Sequence, residues 1–470
     1  MTSQSQDRVV ASPTHRLRRA LVWSSALALA IIVTVGLALQ YERGSLNDFL
    51  CEGPCGPAYV ASPEGLEAPA ADAPAVSAAA GTTADPEAVT AAVNSALNQP
   101  VLGSHVGVSV RQLDGVELVA TSADSFIPAS TTKLLTGFAA LTTLDPEHRF
   151  VTSTVLDGDR LILVGGGDPF LMATQDDRGF AAPATLETLA ARTADALHAE
   201  GIRAVDLGYD DTLFTGPAEN PTWEPSYAEQ NVVSPISALW VDRGQIDGVR
   251  SAEPAASAAE IFAGQLAAEG ISVTPVGRTS ASGDATPVGE VRGPTVAQAV
   301  ERVELTSDNG GAEVLARHVA LASGSEASFV GAVGAVEQAL SSAGIDTTGL
   351  VLRDGSGLSR ENRISPSLLT RVAAAATVSM PTLVDVLPVA GFSGSLADRF
   401  AGLAGRGMVR AKTGSLNQVH SLAGTVTTAD GVVLTMAVMT DSADAAQPLA
   451  GRAAIDALLA SLASCTCAQG

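Results

Sequence analysis

Strand-like segments near both ends of this 470-residue chain constrain its fold more than any other feature. Residues 105–113 and 116–122 alternate apolar and polar side chains on either side of an Asp-Gly pair, the pattern of a β-hairpin. Residues 419–429 and 432–440 form a second strand-like pair near the C-terminus. Helical patterns fill much of the sequence between these pairs. We therefore predict one antiparallel sheet built from both chain ends and flanked by helices, in a mixed α/β (α+β) fold.

The segment 148–295 differs in character from the sequence around it. Short strand-like runs such as 160–166 alternate there with helical patterns such as 184–200, whereas helices dominate after residue 296. We predict a discontinuous principal domain made of residues 86–147 and 296–464, into which 148–295 is inserted as one or more α/β domains. The helical patterns outside the insert cover residues 86–97, 310–322, 327–344, 366–378 and 445–463.

Residues 20–39 carry no charge and are numerous enough to cross a bilayer as a helix. The preceding residues 1–19 contain four arginines and one aspartate, which predicts a cytoplasmic N-terminus and an exported remainder. We therefore predict a single-pass cell-membrane protein whose residues 40–85, rich in alanine and proline, form an extracytoplasmic linker. A cleaved export signal is the alternative.

Charge and cysteine usage limit the classes of partner. The formal net charge of −23 argues against a nucleic-acid partner, because phosphate neutralisation requires clustered basic residues. An even number of cysteines in an exported chain predicts disulfides, and three pairings are open. The six histidines show no metal-ligand spacing and none adjoins a cysteine, so we predict neither a metal site nor a cofactor. The four cysteines are Cys51, Cys55, Cys465 and Cys467.

Only two of the 27 basic residues are lysines, Lys133 and Lys412. Coding bias accounts for the scarcity of lysine but not for these two positions. Lys133 follows Ser130 by three residues, which puts both side chains on one face of a helix. A serine hydroxyl becomes a nucleophile when a neighbouring base removes its proton, and a lysine of lowered pKa is such a base. Arginine cannot serve, because it keeps its proton in proteins.

Two further motifs are weak alone and informative together. Ser307 and Asn309, two residues apart on a turn, would offer a hydroxyl for proton relay and an amide for a peptide carbonyl. The alternative is a helix N-cap. The stretch 412–415 (KTGS) precedes a strand-like run and offers a cation and two hydroxyls for a carboxylate. Its Gly414 would permit close approach of a substrate to the strand edge, although a basic residue in a turn is the alternative.

In the order Ser-x-x-Lys, Ser-Asp-Asn and Lys-Thr-Gly, these motifs are typical of active-site-serine penicillin-binding proteins and class A β-lactamases. Over residues 86–463 the chain resembles the D-alanyl-D-alanine carboxypeptidase/endopeptidase family of low-molecular-mass class C penicillin-binding proteins. The 173 residues between Lys133 and Ser307 suit the inserted domains of that family and exceed the gap of a class A β-lactamase. Further stretches that resemble the family are 164–171 (VGGGDPFL), 354–366 (DGSGLSRENRISP) and 388–400 (PVAGFSGSLADRF).

The resemblance implies a fold of the serine β-lactamase/DD-transpeptidase type and an acyl-enzyme mechanism. Ser130 would be the acylated nucleophile, Lys133 its base and Ser307 the proton shuttle to the leaving D-alanine. The backbone N–H groups of Ser130 and Ser415 would form the oxyanion hole, while Asp354 and Ser356 would shape the site. The implied substrate-binding residues are Asn309, Lys412, Thr413, Gly414 and Ser415.

The implied substrate is the D-Ala-D-Ala end of a peptidoglycan stem peptide, and β-lactams would be covalent inhibitors. The balance of carboxypeptidase and endopeptidase activity and the preferred diamino acid remain open at this stage. One rival is a β-lactamase or esterase with the same nucleophile, and another is a non-catalytic cell-wall binding protein. We expect Trp223 and Trp240 to pack the insert, although an exposed tryptophan could contact glycan.

Overall fold

The computed structural model describes residues 83–175 and 184–469, which belong to one compact unit. The predicted cytoplasmic tail, the apolar segment 20–39, Cys51 and Cys55 lie outside the described residues. No helix within 83–175 and 184–469 is long and apolar enough to span a membrane. The membrane anchor therefore stays a prediction.

The predicted sheet built from both chain ends is confirmed. Its five strands have the order β10-β11-β12-β1-β2, and the first of the described strands, β1, pairs antiparallel with the last, β12. Eight of the nine residues of β11 are buried, because helices cover both faces of the sheet. The strands are β1 (Val106–Gln112), β2 (Glu117–Ala120), β10 (Val409–Leu416), β11 (Val419–Thr427) and β12 (Val433–Thr440).

Helices form two apolar layers against this sheet. One layer packs around Phe138, Leu315 and Leu369, and the other packs around Val93 and Leu459. The first layer contains α2 (Lys133–Thr143), α5 (Val296–Thr306), α6 (Asn309–Ala322), α7 (Phe329–Ser342), α8 (Pro366–Ser379) and the short α9 (Pro381–Asp385). The second contains α1 (Pro86–Leu97) and α10 (Pro448–Ala463).

Helix α5 is absent from the sequence-based prediction. The structure shows a capping box at its start, in which Thr295 accepts from Gln298 N and the Gln298 side chain accepts from Thr295 N. A threonine followed three residues later by glutamine is a local signal for a helix start. That signal could have located α5, which leads directly to Ser307.

The inserted segment forms a second, mixed five-stranded sheet of order β8-β5-β4-β3-β9. Strands β4 and β5, and β5 and β8, pair in parallel. Helices α3 (Leu186–Ala199) and α4 (Pro254–Ala268) pack on this sheet around Leu189 and Phe262. The domain boundaries at 147/148 and 295/296 stay a prediction. The strands are β3 (Arg149–Asp157), β4 (Arg160–Val164), β5 (Ala204–Asp210), β8 (Ser272–Arg278) and β9 (Thr286–Thr295), and a separate ribbon contains β6 (Gln245–Ile246) and β7 (Val249–Arg250).

Tryptophans join the insert to the principal sheet region. Trp223 and Trp240 are 9% and 1% exposed, so the alternative of a glycan-contacting tryptophan is wrong for both. The indole of Trp223 donates to Asp354 Oδ2 at 2.7 Å, and that of Trp240 donates to Asp168 O at 3.0 Å. The Trp223 bond links the insert to the segment around Asp354, whereas the Trp240 bond lies within the insert and the Trp240 ring packs against Gly310 of α6.

The C-terminal cysteines, Cys465 and Cys467, form a disulfide with each other. Cys467 is fully buried in the layer that contains α1 and α10. This pairing resolves part of the question left open by the sequence, and the burial of Cys467 holds residues 465–467 against the core.

Candidate active site

Ser130 and Lys133 are brought together by a change of helix type. Residues Ala129–Thr132 form a 3₁₀ turn, and the α-helix α2 begins at Lys133, so the helical segment expected to carry Ser130 and Lys133 starts as a 3₁₀ turn. The predicted contact between the two side chains is nevertheless present, because Lys133 Nζ donates to Ser130 Oγ at 3.0 Å. The turn begins at Ala129 with a left-handed φ of 48°, a strained conformation of the kind found at functional sites.

Lys133 is fully buried at the centre of the cleft. Its Nζ also donates to Asn309 Oδ1 at 2.8 Å and to Ser356 O at 2.7 Å. Burial lowers the pKa of Lys133 to about 8, although the charge of Glu304 and other carboxylates opposes this effect. A neutral amine is therefore accessible near neutral pH, as a general base requires.

Ser307 and Asn309 flank a break between two helices. Ser307 has a left-handed φ of 59° that ends α5, and Asn309 is the first residue of α6. Asp308 between them caps α6 by accepting from Gly311 N at 2.8 Å. The capping role is thus filled by Asp308, while Ser307 and Asn309 face the cleft.

The amide of Asn309 is held from two sides. Its Oδ1 accepts from Lys133, and its Nδ2 donates at 3.2 Å to Val232 O of the insert. A side-chain amide has two N–H donors, so one remains for a ligand. The insert therefore orients a residue of the cleft, a contact that sequence spacing does not reveal.

Lys412 completes a second serine–lysine pair. Its Nζ donates to Ser307 Oγ at 2.9 Å and to Thr413 O at 3.1 Å, and the side chain is fully buried. Burial lowers the pKa of Lys412, and the charge of Lys133 lowers it further, whereas Glu304 raises it. The Lys-Thr-Gly stretch lies within the edge strand β10 and precedes β11, the strand-like run predicted after it.

Two residues of β10 beside Lys412 are accessible to a ligand. Ser415 is exposed and Thr413 is half-buried at the edge of the sheet, where Thr413 Oγ1 donates to Ser395 Oγ at 2.7 Å. Ser130, Ser307 and Asn309 are half-buried as well. An extended peptide that pairs with this edge would pass both serine–lysine pairs.

Gly414 has a packing role in addition to the substrate approach predicted for it. A Cβ at this position would lie 2.6 Å from Pro128 O and 3.1 Å from Ser130 N, and it would overlap Ser421 Oγ. Glycine is thus required for β10 to pack against the turn that carries Ser130. The close approach is made by the protein's own backbone.

We expect Gly414→Ala to destabilise the protein by about 1–3 kcal/mol, the usual cost of overpacking, and to slow reaction at Ser130 by displacing its turn. Thermal denaturation and adduct formation with benzylpenicillin measure the two effects. Gly334→Ala is the matched control, because a Cβ at Gly334 meets no atom within 4 Å and alanine favours a helix. Equal stability of the two variants would contradict the packing argument.

Two buried carboxylates near the site were missed by sequence analysis. Glu313 of α6 accepts from Ser356 N at 2.8 Å and thereby orients the carbonyl that binds Lys133. Asp354 accepts from Gly357 N and Ser359 N, at 2.8 and 2.6 Å. Asp354 had been expected to shape the site, so the second carboxylate that sequence analysis missed is Glu304 of α5, which is also fully buried. Acidic residues on helices are usually exposed, so only tertiary contacts reveal that these carboxylates are buried.

Among the described residues, no group of His, Cys, Asp and Glu could hold a metal ion.

The antiparallel sheet flanked by helices, with a serine–lysine pair at the start of a buried helix and a second pair opposite it, defines the class of active-site serine hydrolases that form acyl-enzymes. The chain belongs to the D-Ala-D-Ala carboxypeptidase 3 (S13) family, whose model matches residues 89–248 and 247–462.

Individual relatives agree with this assignment. The chain is 36% identical to carboxypeptidase DacB of Mycolicibacterium smegmatis, over 97% of this chain and 99% of that protein. It is 30% identical to a D-alanyl-D-alanine carboxypeptidase of an Actinomadura species, over 80% of this chain and 85% of that protein. Penicillin binding protein 4 of Haemophilus influenzae shares the fold, with a TM-score of 0.65 at 20% identity over 80% of this chain and 98% of that one. A second structure of that protein, in complex with a β-lactam, gives a TM-score of 0.58 at 20% identity over 78% and 97%.

Proposed function

We propose that this serine-type D-Ala-D-Ala carboxypeptidase removes the terminal D-alanine from peptidoglycan stem peptides through an acyl-enzyme on Ser130. The observation that carries the proposal is the pair of serine–lysine hydrogen bonds that meet in one buried cleft, Ser130 with Lys133 and Ser307 with Lys412. One pair suits activation of a nucleophile, and the other suits protonation of a leaving amine.

In the acylation step, neutral Lys133 takes the proton of Ser130, and Ser130 Oγ attacks the carbonyl carbon of the penultimate residue. The backbone N–H groups of Ser130 and Ser415 stabilise the negative oxygen of the tetrahedral intermediate. Ser307 then gives its proton to the leaving nitrogen as the C–N bond breaks, and Lys412 replaces that proton. Water hydrolyses the ester and restores the Ser130 hydroxyl.

Substrate binding in this proposal uses the edge of β10 and the turn before α6. The hydroxyls of Thr413 and Ser415, with the charge of Lys412, bind the terminal carboxylate. The free Nδ2 hydrogen of Asn309 binds the amide carbonyl on the acyl side. A β-lactam carries a similar carboxylate and a reactive amide, so it would acylate Ser130; the β-lactam complex of the Haemophilus influenzae protein supports this expectation.

The test combines two assays on the purified full-length chain. Release of D-alanine from a D-Ala-D-Ala peptide, with one stable adduct of benzylpenicillin by intact-mass spectrometry, is the expected result. No adduct together with hydrolysed drug would instead indicate a β-lactamase. Peptidoglycan binding without D-alanine release or adduct would indicate a non-catalytic wall-binding protein.

We also propose that residues 20–39 anchor the chain in the cell membrane, with the catalytic region outside the cytoplasm. The absence of charge over these residues and the arginines before them support the proposal. Leu29→Arg with Val33→Arg should release the protein from the membrane fraction, since each charge costs about 2.5–3.5 kcal/mol at the centre of a bilayer. Leu66→Arg in the linker is the control and should stay membrane-bound. Recovery of a wild-type chain cleaved after this segment would contradict the anchor.

A further inference from the structure

Glu304 is a buried acid that the mechanism above does not use. It lies on α5, three residues before Ser307, and its side chain is fully buried. Neither of its carboxyl oxygens has a hydrogen-bond partner in the part of the chain that the structure describes. Because an unpartnered buried carboxyl group is costly, its presence beside a catalytic cleft calls for a reason other than packing.

The position of Glu304 puts its carboxyl group beneath the two lysines. Helix α5 packs on α2, and a Cβ at Gly137 would lie 2.8 Å from Glu304 Oε1. Gly137 is one helical turn after Lys133, so the missing side chain leaves room for the carboxyl group next to the base of Lys133. The two groups whose charges act on Glu304 are Lys412 and Lys133.

Other titratable groups around α5 have their own partners or face solvent. Glu313 of α6 accepts from backbone N–H groups at Gly355 and Ser356. Glu290 and Arg292 of β9 form an ion pair at 2.9 Å, and Asp385 of α9 is exposed. The other titratable groups on α6 are Arg317 and His318. Arg317 lies over the Phe329 ring, and His318 Nε2 is 2.9 Å from Gly167 O.

The charge balance of the cleft explains an acid at this position. Catalysis requires a neutral Lys133 and a protonated Lys412 at the same time. Glu304 is the carboxylate whose charge acts most strongly on Lys133, ahead of Asp354, Glu313 and Asp308, and its charge also raises the pKa of Lys412. Without Glu304 the two buried lysines would lose that offsetting charge, which favours loss of the second proton.

We infer that Glu304 is a positioning residue that supplies the negative charge which keeps Lys412 protonated while Lys133 acts as a neutral base. The inference rests on the proposed function of the two lysines. It assigns to α5 an electrostatic role in the reaction in addition to its role in placing Ser307.

The pKa directions agree with this assignment. Burial raises the pKa of Glu304, and the charges of Lys412 and Lys133 oppose that rise. In return, Glu304 raises the pKa of both lysines against the effect of burial. Removing its charge should therefore lower both lysine pKa values. The two limbs of the activity profile, which depend on the charge states of Lys133 and Lys412, should both move to lower pH.

The experiment measures the rate constant of acylation by benzylpenicillin from pH 5 to 10, by intact-mass spectrometry on the full chain. For Glu304→Gln we expect the profile to move to lower pH by about 1–3 units, the usual effect of one nearby charge. At pH 9 the rate should fall at least about tenfold, while at the acidic end it should equal or exceed that of wild type.

Asp168→Asn is the matched control. Asp168 is also buried, burial raises its pKa, and its Oδ2 has no hydrogen-bond partner among the described residues. Its Oδ1 accepts from Phe170 N within the insert region, and Asp168 is not among the groups whose charges act on Lys133 or Lys412. If the acylation rate of this variant depends on pH as in wild type, then loss of a buried acid alone does not change the pH dependence.

Glu304→Leu separates the electrostatic role from a structural one. Replacing an unpartnered buried carboxyl group with an apolar side chain should leave the melting temperature equal or raise it, with the same displaced pH profile. The inference is overturned if the variants lose the same factor at every pH, keep the wild-type profile, or do not fold. If the wild-type chain itself is not acylated, the proposed function fails and this inference fails with it.

Discussion

Ser130→Ala is expected to lower D-alanine release on the order of 10⁴-fold or more and to abolish the benzylpenicillin adduct. Ser130 is the serine whose hydroxyl accepts from Lys133. The hydroxyl of Ser307 accepts from Lys412 and is assigned instead to protonation of the leaving amine. Loss of the Ser130 hydroxyl therefore removes the bond that carries the acyl group.

Intact-mass spectrometry with excess benzylpenicillin and a D-alanine assay measure this effect. Ser323→Ala, at the exposed C-terminal end of α6, is the control and should form the adduct at the wild-type rate. An adduct on Ser130→Ala would refute the assignment, and peptide mapping would then locate the true nucleophile. A matching melting temperature of both variants excludes a folding defect.

Lys133→Arg is expected to slow acylation by about 10²–10⁴-fold, the range for loss of a general base. Arginine keeps the positive charge but does not release its proton in proteins, so it cannot deprotonate Ser130. In wild type, burial lowers the pKa of Lys133 to about 8, so protonation of this amine should reduce the acylation rate below about pH 8. The residual acylation rate of Lys133→Arg should lack this decrease. Acylation rates between pH 5 and 10 provide the measurement.

Lys412→Arg is the matched comparison. Lys412 supports Ser307 through its charge and one hydrogen bond, and arginine retains a charge and donors. Relative to wild type, the acylation rate of Lys412→Arg should fall less than that of Lys133→Arg. A larger loss in Lys412→Arg, or a normal rate in Lys133→Arg, would reverse the roles of the two lysines.

Sequence patterns predicted the principal sheet because strand and turn signals are local. The hairpin at Asp114-Gly115 and the late pair of strands each have their own alternation, and β1 then pairs with β12 in the structure. The contact of Ser130 with Lys133 was also predictable, since three residues on a helical turn place two side chains together. Helix α5 was missed although Thr295 and Gln298 mark its start.

Other features of the site depend on residues far apart in the chain. The donation from Lys412 to Ser307 spans 105 positions, and that from Asn309 to Val232 O spans 77. No local pattern encodes such distances. Gly414 is a further case, because its sequence context does not reveal that it packs against the turn of Ser130.

The sequence by itself determined which chemistry is available to this protein: two lysines among arginines, each beside a serine-containing motif, and strands at both ends of the chain. These are properties of residue type and short spacing, which local physical chemistry controls. The tertiary structure alone decided which lysine meets which serine, how the insert holds Asn309, and that Glu304 is buried beneath both lysines. Burial and long-range contact set the charge state of these groups, and both arise only when distant segments pack together.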